Sequence, residues 1–259
     1  MPVASLANIC ASPWGEPLLQ DISFDLAKRE VLGILGPNGA GKSTLLNLLC
    51  GATTPTSGSF QLQGRSADNW SIAERARAMA ILPQQSALNF PYTVEEVILL
   101  GRTPHASGAS ADRKVLEEVL IATDTAELRH RLYTQLSGGE KQRVQLARVF
   151  AQVWREQDSD YRLLLLDEPT AALDLSHQQL IMESVKSLSV KGCAVVMIVH
   201  DFDLAARSCD QCLVLKQGQQ WGLGKPGEIF TAELFKEVFE VDVSIIDHPS
   251  LGGPLVVRT

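Results

Sequence analysis

The sequence predicts an α/β fold with a mostly parallel sheet, an N-terminal antiparallel β subdomain and an inserted α-helical subdomain. Three observations predict it. Short, wholly apolar runs at Val31–Leu35, Leu163–Leu166 and Cys193–Val199 read as strands buried on both faces. Helical patterns lie between them, which is how a parallel sheet is covered. A glycine-rich loop, Gly36-Pro37-Asn38-Gly39-Ala40-Gly41-Lys42-Ser43-Thr44, joins the first of these strands to a helix, and strand, loop and helix together frame a phosphate site.

Taken in order, Val3 to Leu26 carries short alternating apolar stretches broken by Ser12-Pro13 and Gly15, the pattern of antiparallel strands joined by turns. Trp14 sits on that turn, placed either to stack on a purine ring or to cover the sheet edge. After Val31–Leu35 and the loop, Thr44 to Cys50 reads as a helix closed by Gly51. Thr56-Ser57-Gly58 turns into a strand at Ser59–Leu62, a charged helix follows at Ser71 to Arg77, and Met79–Leu82 is a strand ending at Pro83-Gln84-Gln85. From about residue 86 to about 158 the character is helical. Thr93 caps a helix with Glu96 completing a capping box, Gly101 ends it, and Arg113 to Thr123 and Lys141 to Ala151 supply two more amphipathic helices. Beyond Leu163–Leu166 comes a helix at about Gln178 to Lys191 closed by Gly192, then the strand ending at His200-Asp201 and another at Cys212 to Leu215.

The glycine loop fits G-x-x-x-x-G-K-S/T without mismatch. Its glycines let successive N–H groups turn inward on an anion. The helix start adds about half a positive charge and Lys42 a full one, while the Ser43 hydroxyl suits a Mg²⁺ held against the phosphates. The chain is expected to bind a nucleoside triphosphate. Ligands of such sheets lie beyond the carboxyl ends of the strands. Gly36, Gln84, Asp167 and His200 all follow strand ends, which predicts one convergent site.

Composition narrows the class. A chain of 259 residues with 45% hydrophobic and 20% charged residues is an ordinary globular protein. A formal net charge of −7 argues against a surface made for nucleic acid or anionic lipid. No apolar run approaches the roughly 18–20 residues of a bilayer span, and Met1-Pro2-Val3-Ala4 carries no secretory signal pattern. Membrane association is therefore expected only through a partner protein. Five cysteines without framework spacing suit a reducing cytoplasm, and Cys209-Asp210-Gln211-Cys212 reads as packing rather than a metal or redox pair.

Leu136-Ser137-Gly138-Gly139-Glu140 opens a helix continuing Lys141-Gln142-Arg143. Together with the phosphate loop and Leu163–Glu168, it resembles the ATP-binding-cassette (ABC) ATPases over nearly the whole chain. The resemblance implies one nucleotide-binding domain over 1–259, with a helical subdomain at about 86–158 inserted in a RecA-like P-loop NTPase core and a C-terminal extension at about 228–259. It implies that Trp14 stacks on adenine and that Gly36 to Thr44, Lys42 among them, hold the phosphates of ATP. Gln84 would reach Mg²⁺ and the attacking water, with Gln85 the register alternative. Ser43 and Asp167 would bind Mg²⁺, Glu168 would be the general base, and His200 would contact the γ-phosphate. Ala171-Ala172-Leu173-Asp174 resembles the loop that touches the partner subunit. Ser137, Gly138, Gly139 and Glu140 would complete the site of a second copy, so the working form is a homodimer that closes on two ATP molecules.

A soluble repair or translation ATPase would usually carry a coiled-coil insertion or a second cassette, and an exporter fused membrane helices; a separately encoded exporter ATPase stays open. Asn89–Val97 followed by Gly101-Arg102-Thr103-Pro104-His105 resembles the ATPases that import haem, ferric siderophores and cobalamin. The long segment Gln152–Arg162 and Leu173-Asp174-Leu175-Ser176-His177-Gln178 are similar to the haem-importing subgroup. That resemblance implies two copies of an integral membrane permease as partners, a periplasmic haem-binding protein indirectly, and a peripheral place on the cytoplasmic face of the inner membrane. No nucleic acid and no direct membrane insertion are expected. His105 and His177 are not expected to ligate haem. The tail Phe235 to Val257, with Gly252-Gly253-Pro254, resembles the extension of these importers without revealing a role.

Overall fold

The computed structural model describes residues 1–13, 15–84, 88–248 and 253–258. Trp14, Gln85 and Gly252 lie outside the described residues. The chain forms two compact units, one of Met1–Asn69 with Val196–Thr259 and the other Trp70–Val195. In chain order the first unit supplies β1 (Ala4–Ala11), β2 (Leu19–Leu26), β3 (Val31–Leu35), α1 (Lys42–Cys50), β4 (Ser57–Leu62) and β5 (Arg65–Ser66). The second holds α2 (Ile72–Ala78), β6 (Met79–Leu82), α3 (Val94–Leu99), α4 (Ala109–Ala122), α5 (Gly138–Val153), β7 (Leu163–Asp167) and α6 (Leu175–Val190). Strand β8 (Ala194–Ile198) carries the chain back to the first unit. There follow α7 (Phe202–Ser208), β9 (Gln211–Lys216), β10 (Gln219–Gly224), two short helical turns, a π-helical turn at Phe235–Phe239, β11 (Val243–Asp247) and β12 (Pro254–Arg258).

In the first unit the strand order is β5-β4-β1-β2-β10-β9-β3. Strands β1, β2, β4 and β5 are antiparallel neighbours, whereas β3 and β9 run parallel, Ile34 opposite Leu213. All five residues of β3 are buried, as expected of an all-apolar run in a parallel pair, but β10 and β2 also meet in parallel, Gln219 opposite Gln20, although neither is apolar throughout. The half-buried strands β1 and β2 alternate and pair antiparallel with each other, leaving one face for water. The β9–β10 hairpin is antiparallel as well, so the sheet of this unit is mixed. Cys209 and Cys212 are buried free cysteines packed against Gly33, where a Cβ would lie 2.7 Å from the Cys209 sulfur.

In the second unit β6 and β7 run parallel, Leu82 opposite Leu166. Leu163 to Leu166 are wholly buried, and each such leucine contributes about 1.5–3 kcal/mol relative to exposure. Several helices begin earlier than their apolar periods suggest, because side-chain caps start them. Ser137 caps α5, Asp174 caps α6 in front of Leu175, and the expected Thr93–Glu96 capping box opens α3. Helix α3 ends at Leu99, and Gly101 lies inside the 3₁₀ turn Leu100–Arg102 that follows rather than ending the helix. A Cβ there would stand 2.1 Å from the Arg148 carbonyl oxygen of α5, so this glycine permits close packing. Likewise Ser57 and Gly58, expected in a turn, already belong to β4, because Ser57 pairs with Cys10 of β1. Among the described residues no helix is long and apolar enough to cross a membrane.

Candidate active site

In the first unit, buried β3 delivers the chain into the loop Gly36–Gly41, and two positions dictate glycine. Gly36 has φ +149°, and a Cβ on it would fall 2.2 Å from the Leu215 carbonyl oxygen of β9. Gly41 has φ +98°, and its Cβ would meet the Leu18 carbonyl oxygen at 2.8 Å and the Leu19 side chain at 2.9 Å. The backbone can curl this tightly against β2 and β9 only without side chains. Helix α1 starts at Lys42 with no side-chain cap and no acidic residue in its first turn. By contrast, α3, α5 and α6 each begin with a side-chain cap. Lys42 is 7% exposed and folds over the loop, Nζ donating to the carbonyls of Gly36 (2.8 Å) and Pro37 (2.9 Å). Asn38 and Gly39 form the exposed tip, and Ser43 is exposed one residue beyond the lysine.

His200 follows β8 in the same unit and is exposed. The Val199 N–H donates to the Ile34 carbonyl at 3.2 Å, which fixes this strand end beside β3 and the start of the loop. A cavity of about 230 Å³ is lined by Gly36, Pro37, Asn38 and His200, together with Phe202 and Phe239. The loop and His200 are thus brought together, as their places after strand ends predict. The two phenylalanines were not foreseen: Phe239 comes from the π-helical turn Phe235–Phe239, and no local pattern marks it.

The second unit carries the carboxylates. Asp167 is the last residue of β7 and 6% exposed. Gln84 and Glu168 each lie two residues past the facing pair Leu82 and Leu166, so both leave the same edge of two adjacent parallel strands. Glu168 has φ +51°, a left-handed backbone that costs a residue with a Cβ about 1–2 kcal/mol. Held strain of this kind is characteristic of functional positions. Ala172, four residues on, is left-handed as well, at φ +61°.

Ser137, Gly138, Gly139 and Glu140 open α5. The Ser137 N–H donates to Glu140 Oε2 at 2.7 Å, the Glu140 N–H meets Ser137 Oγ at 3.4 Å, and Arg131 pairs with Glu140 at 2.9 Å. The Ser137 N–H, first among the causes, holds the Glu140 carboxyl below the usual range. This capping box is legible in the S-x-x-E spacing of Ser137 and Glu140. Gln142 Nε2 donates to the Pro169 carbonyl at 3.3 Å, and a Cβ on Gly139 would lie 3.2 Å from the Ala172 carbonyl oxygen. The start of α5 thereby abuts the segment after Glu168. Asp174 caps α6, and the His177 N–H together with the Ser176 hydroxyl drives its pKa down.

His105 and His177 have structural partners. His105 Nε2 donates to the Gln152 carbonyl at 2.8 Å, and His177 lies between Asp174 (2.8 Å) and Asp124 (3.2 Å). Beside His105, Arg102 is 3% exposed and bonds Asp112 (2.9 Å), Asp158 (2.7 Å), Ser107 (3.0 Å) and the Ala151 carbonyl (2.6 Å). The Gly101–His105 motif and the long segment after α5 are therefore two sides of one buried ion network.

Comparison with known proteins gives the same outline. Residues 19–171 match the ABC transporter family. The hemin import ATP-binding protein HmuV of Pseudomonas entomophila is 48% identical over 240 residues, 93% of each chain. That of Pseudomonas aeruginosa is 44% identical over 250 residues, covering 96% of this chain and 97% of that one. Among solved structures, a metal-chelate type ABC transporter in an inward-facing conformation matches with TM-score 0.81 at 27% identity, over 100% of this chain and 98% of that one.

Proposed function

The chain belongs to the ABC transporter family, and from that premise we propose that it is the ATP-hydrolysing subunit of an importer that takes up haem. The observation that carries the substrate is the likeness to hemin import ATP-binding proteins at 48% identity over 93% of both chains. What supports the chemistry is that the chain carries a loop built for phosphates and, in its other unit, a strained carboxylate, Glu168, next to Asp167 at the end of a buried strand.

Gly36, Pro37, Asn38, Gly39, Ala40, Gly41, Lys42, Ser43 and Thr44 hold the phosphates of ATP by backbone N–H groups, helix dipole and ammonium charge. Trp14 stacks on the adenine. Ser43, Gln84 and Asp167 would hold Mg²⁺; they are oxygen donors, a hydroxyl, an amide carbonyl and a carboxylate, and such a set suits this hard cation. When bound, the metal neutralises charge on the phosphates. Glu168 takes a proton from the water whose oxygen attacks the γ-phosphorus, and ADP leaves with the electrons of the broken P–O bond. His200 donates to the γ-phosphate. Ser137, Gly138, Gly139 and Glu140 of a second copy close over the same phosphate, so two chains trap two ATP molecules head to tail. ATP favours the closed pair by its greater affinity for that state, and hydrolysis releases it. Closure is transmitted to two copies of a membrane permease, which a periplasmic haem-binding protein supplies. The subunit then sits peripherally on the cytoplasmic face of the membrane, its helical subdomain at about 86–158 turned to the permease.

The alternative cargo, a ferric siderophore or cobalamin, has only the likeness to a metal-chelate type transporter at 27% identity behind it, against 48% to a hemin import ATP-binding protein. The experiment is ATP-dependent uptake in liposomes containing the chain with its permease, wild type against Glu168→Gln. Haem accumulation with wild type, and an ATP-bound dimer without turnover for the variant, is the expected result. Normal turnover by Glu168→Gln would refute the base, and uptake of a ferric siderophore but not haem would refute the substrate.

A further inference from the structure

We infer that the C-terminal extension acts as a brace for His200, with Phe239 a positioning residue for ATP hydrolysis; the inference rests on the reading of His200 as the γ-phosphate contact. His200 is a single residue between two anchors. On one side the Val199 N–H is bonded to the Ile34 carbonyl. On the other, Asp201 caps α7, its Oδ1 accepting the Leu204 N–H at 2.9 Å. Phe202, the first residue of α7, is then clamped by aromatic rings from the extension. Its centroid lies 4.6 Å from that of Phe235 and 4.9 Å from that of Phe239, both nearly perpendicular at 79° and 78°, the favoured edge-to-face arrangement. Phe230 stands 5.8 Å from Phe235 and closes the cluster.

The extension is itself built to hold Phe239 there. Residues Phe235–Phe239 form a π-helical turn, an element that recurs at functional sites, and Glu240 closes it in a left-handed conformation at φ +60°. Lys216 Nζ of β9 donates to the Glu237 carbonyl inside that turn, and the Val256 N–H of β12 reaches Asp203 Oδ1 of α7 at 3.4 Å. Phe235 is wholly buried, as a core residue would be, but Phe239 and Phe202 are only half-buried. Their rings instead line the 230 Å³ cavity that holds Pro37, Asn38 and His200. A half-buried ring on that wall does more for the geometry of His200 than for the stability of the core.

The test compares steady-state ATPase kinetics of Phe239→Ala, Phe239→Leu, His200→Ala and, on the solvent side of the same turn, Lys236→Ala. The expected result is a fall in kcat of roughly tenfold or more for Phe239→Ala, the scale of a misplaced catalytic contact. Its KM for ATP and thermal midpoint stay near wild type, Phe239→Leu recovers most of the rate, Lys236→Ala is unchanged, and His200→Ala is inactive. Wild-type kcat in Phe239→Ala beside an inactive His200→Ala would overturn the brace alone. A loss in which KM and the thermal midpoint shift together, with no rescue by leucine, would overturn it too, since Phe239 would then only pack. Full turnover by His200→Ala would overturn the underlying reading of that histidine and the brace with it.

Discussion

Replacing Arg102 by methionine isolates the buried ion network that joins the turn after α3 to α4 and to the segment after α5. The guanidinium makes four hydrogen bonds, two of them to carboxylates, and its side chain is 2% exposed. Methionine fills similar volume without charge, so the loss is electrostatic rather than a cavity. Asp158, at 8% exposed, would keep a carboxylate in a nearly dry place, with His105 and Arg155 at 3.9 Å its remaining charged neighbours among the described residues. Asp112, at 22% exposed, can turn to water. Removing one partner of a buried pair costs about 3–5 kcal/mol. The residual neighbours and the solvent at Asp112 place this case at the lower end, about 3 kcal/mol, which corresponds to a fall in melting temperature of roughly 6–12 °C. Thermal melts followed by circular dichroism measure it directly. Adding Asp158→Asn removes the stranded charge, so the double variant should regain part of the loss, and the cycle measures the coupling. A melting temperature for Arg102→Met within 2 °C of wild type would refute the reasoning.

Two other outcomes test separate parts of the molecule. Lys42→Ala should weaken ATP binding by tenfold or more in a calorimetric titration, since its ammonium lies on the loop carbonyls; unchanged affinity would remove the phosphate role of the loop. Burial, and then the positive charge of Arg102, lowers the pKa of His105, so the folded state resists protonating it. The unfolded chain takes up that proton first as pH falls below about 6.5, so this contribution to stability is complete above that pH and is lost as pH drops through the lower folded value. Urea unfolding midpoints from pH 8 to 5 should decline accordingly and flatten in His105→Asn. An equal decline in both proteins would show that His105 is not the group responsible.

The parts of the fold that were legible in the sequence are those whose cause is local. The loop glycines, the apolar strands and the Thr93–Glu96 capping box each state their conformation within a few residues. Helix starts were legible only where the cap was weighed against apolar period: Ser137 and Asp174 set the starts of α5 and α6, ahead of the first residues whose spacing repeats. Contacts between distant segments left no such mark. Phe239 reaches the cavity beside Pro37 and Asn38 because a π turn and the β9–β10 hairpin carry it there. Arg102 and Asp158 read separately as lineage marks, although each is the other's counter-ion. Nor does a sequence display a backbone angle: nothing in Asp167-Glu168-Pro169 announces that the glutamate is left-handed.

That angle also bears on how such a chain ages genetically. Glutamate is one base from glycine in every codon, and glycine is the residue that occupies a left-handed backbone without steric cost. At position 168 that substitution would relieve roughly 1 kcal/mol of local strain while removing the proposed base. Most inactivating mutations unfold a protein and are cleared with it, but this one would leave a well-folded subunit able to occupy its permease. Purifying selection at this codon must therefore come from transport itself, and a lineage no longer dependent on uptake has a short, downhill path to a stable, silent copy.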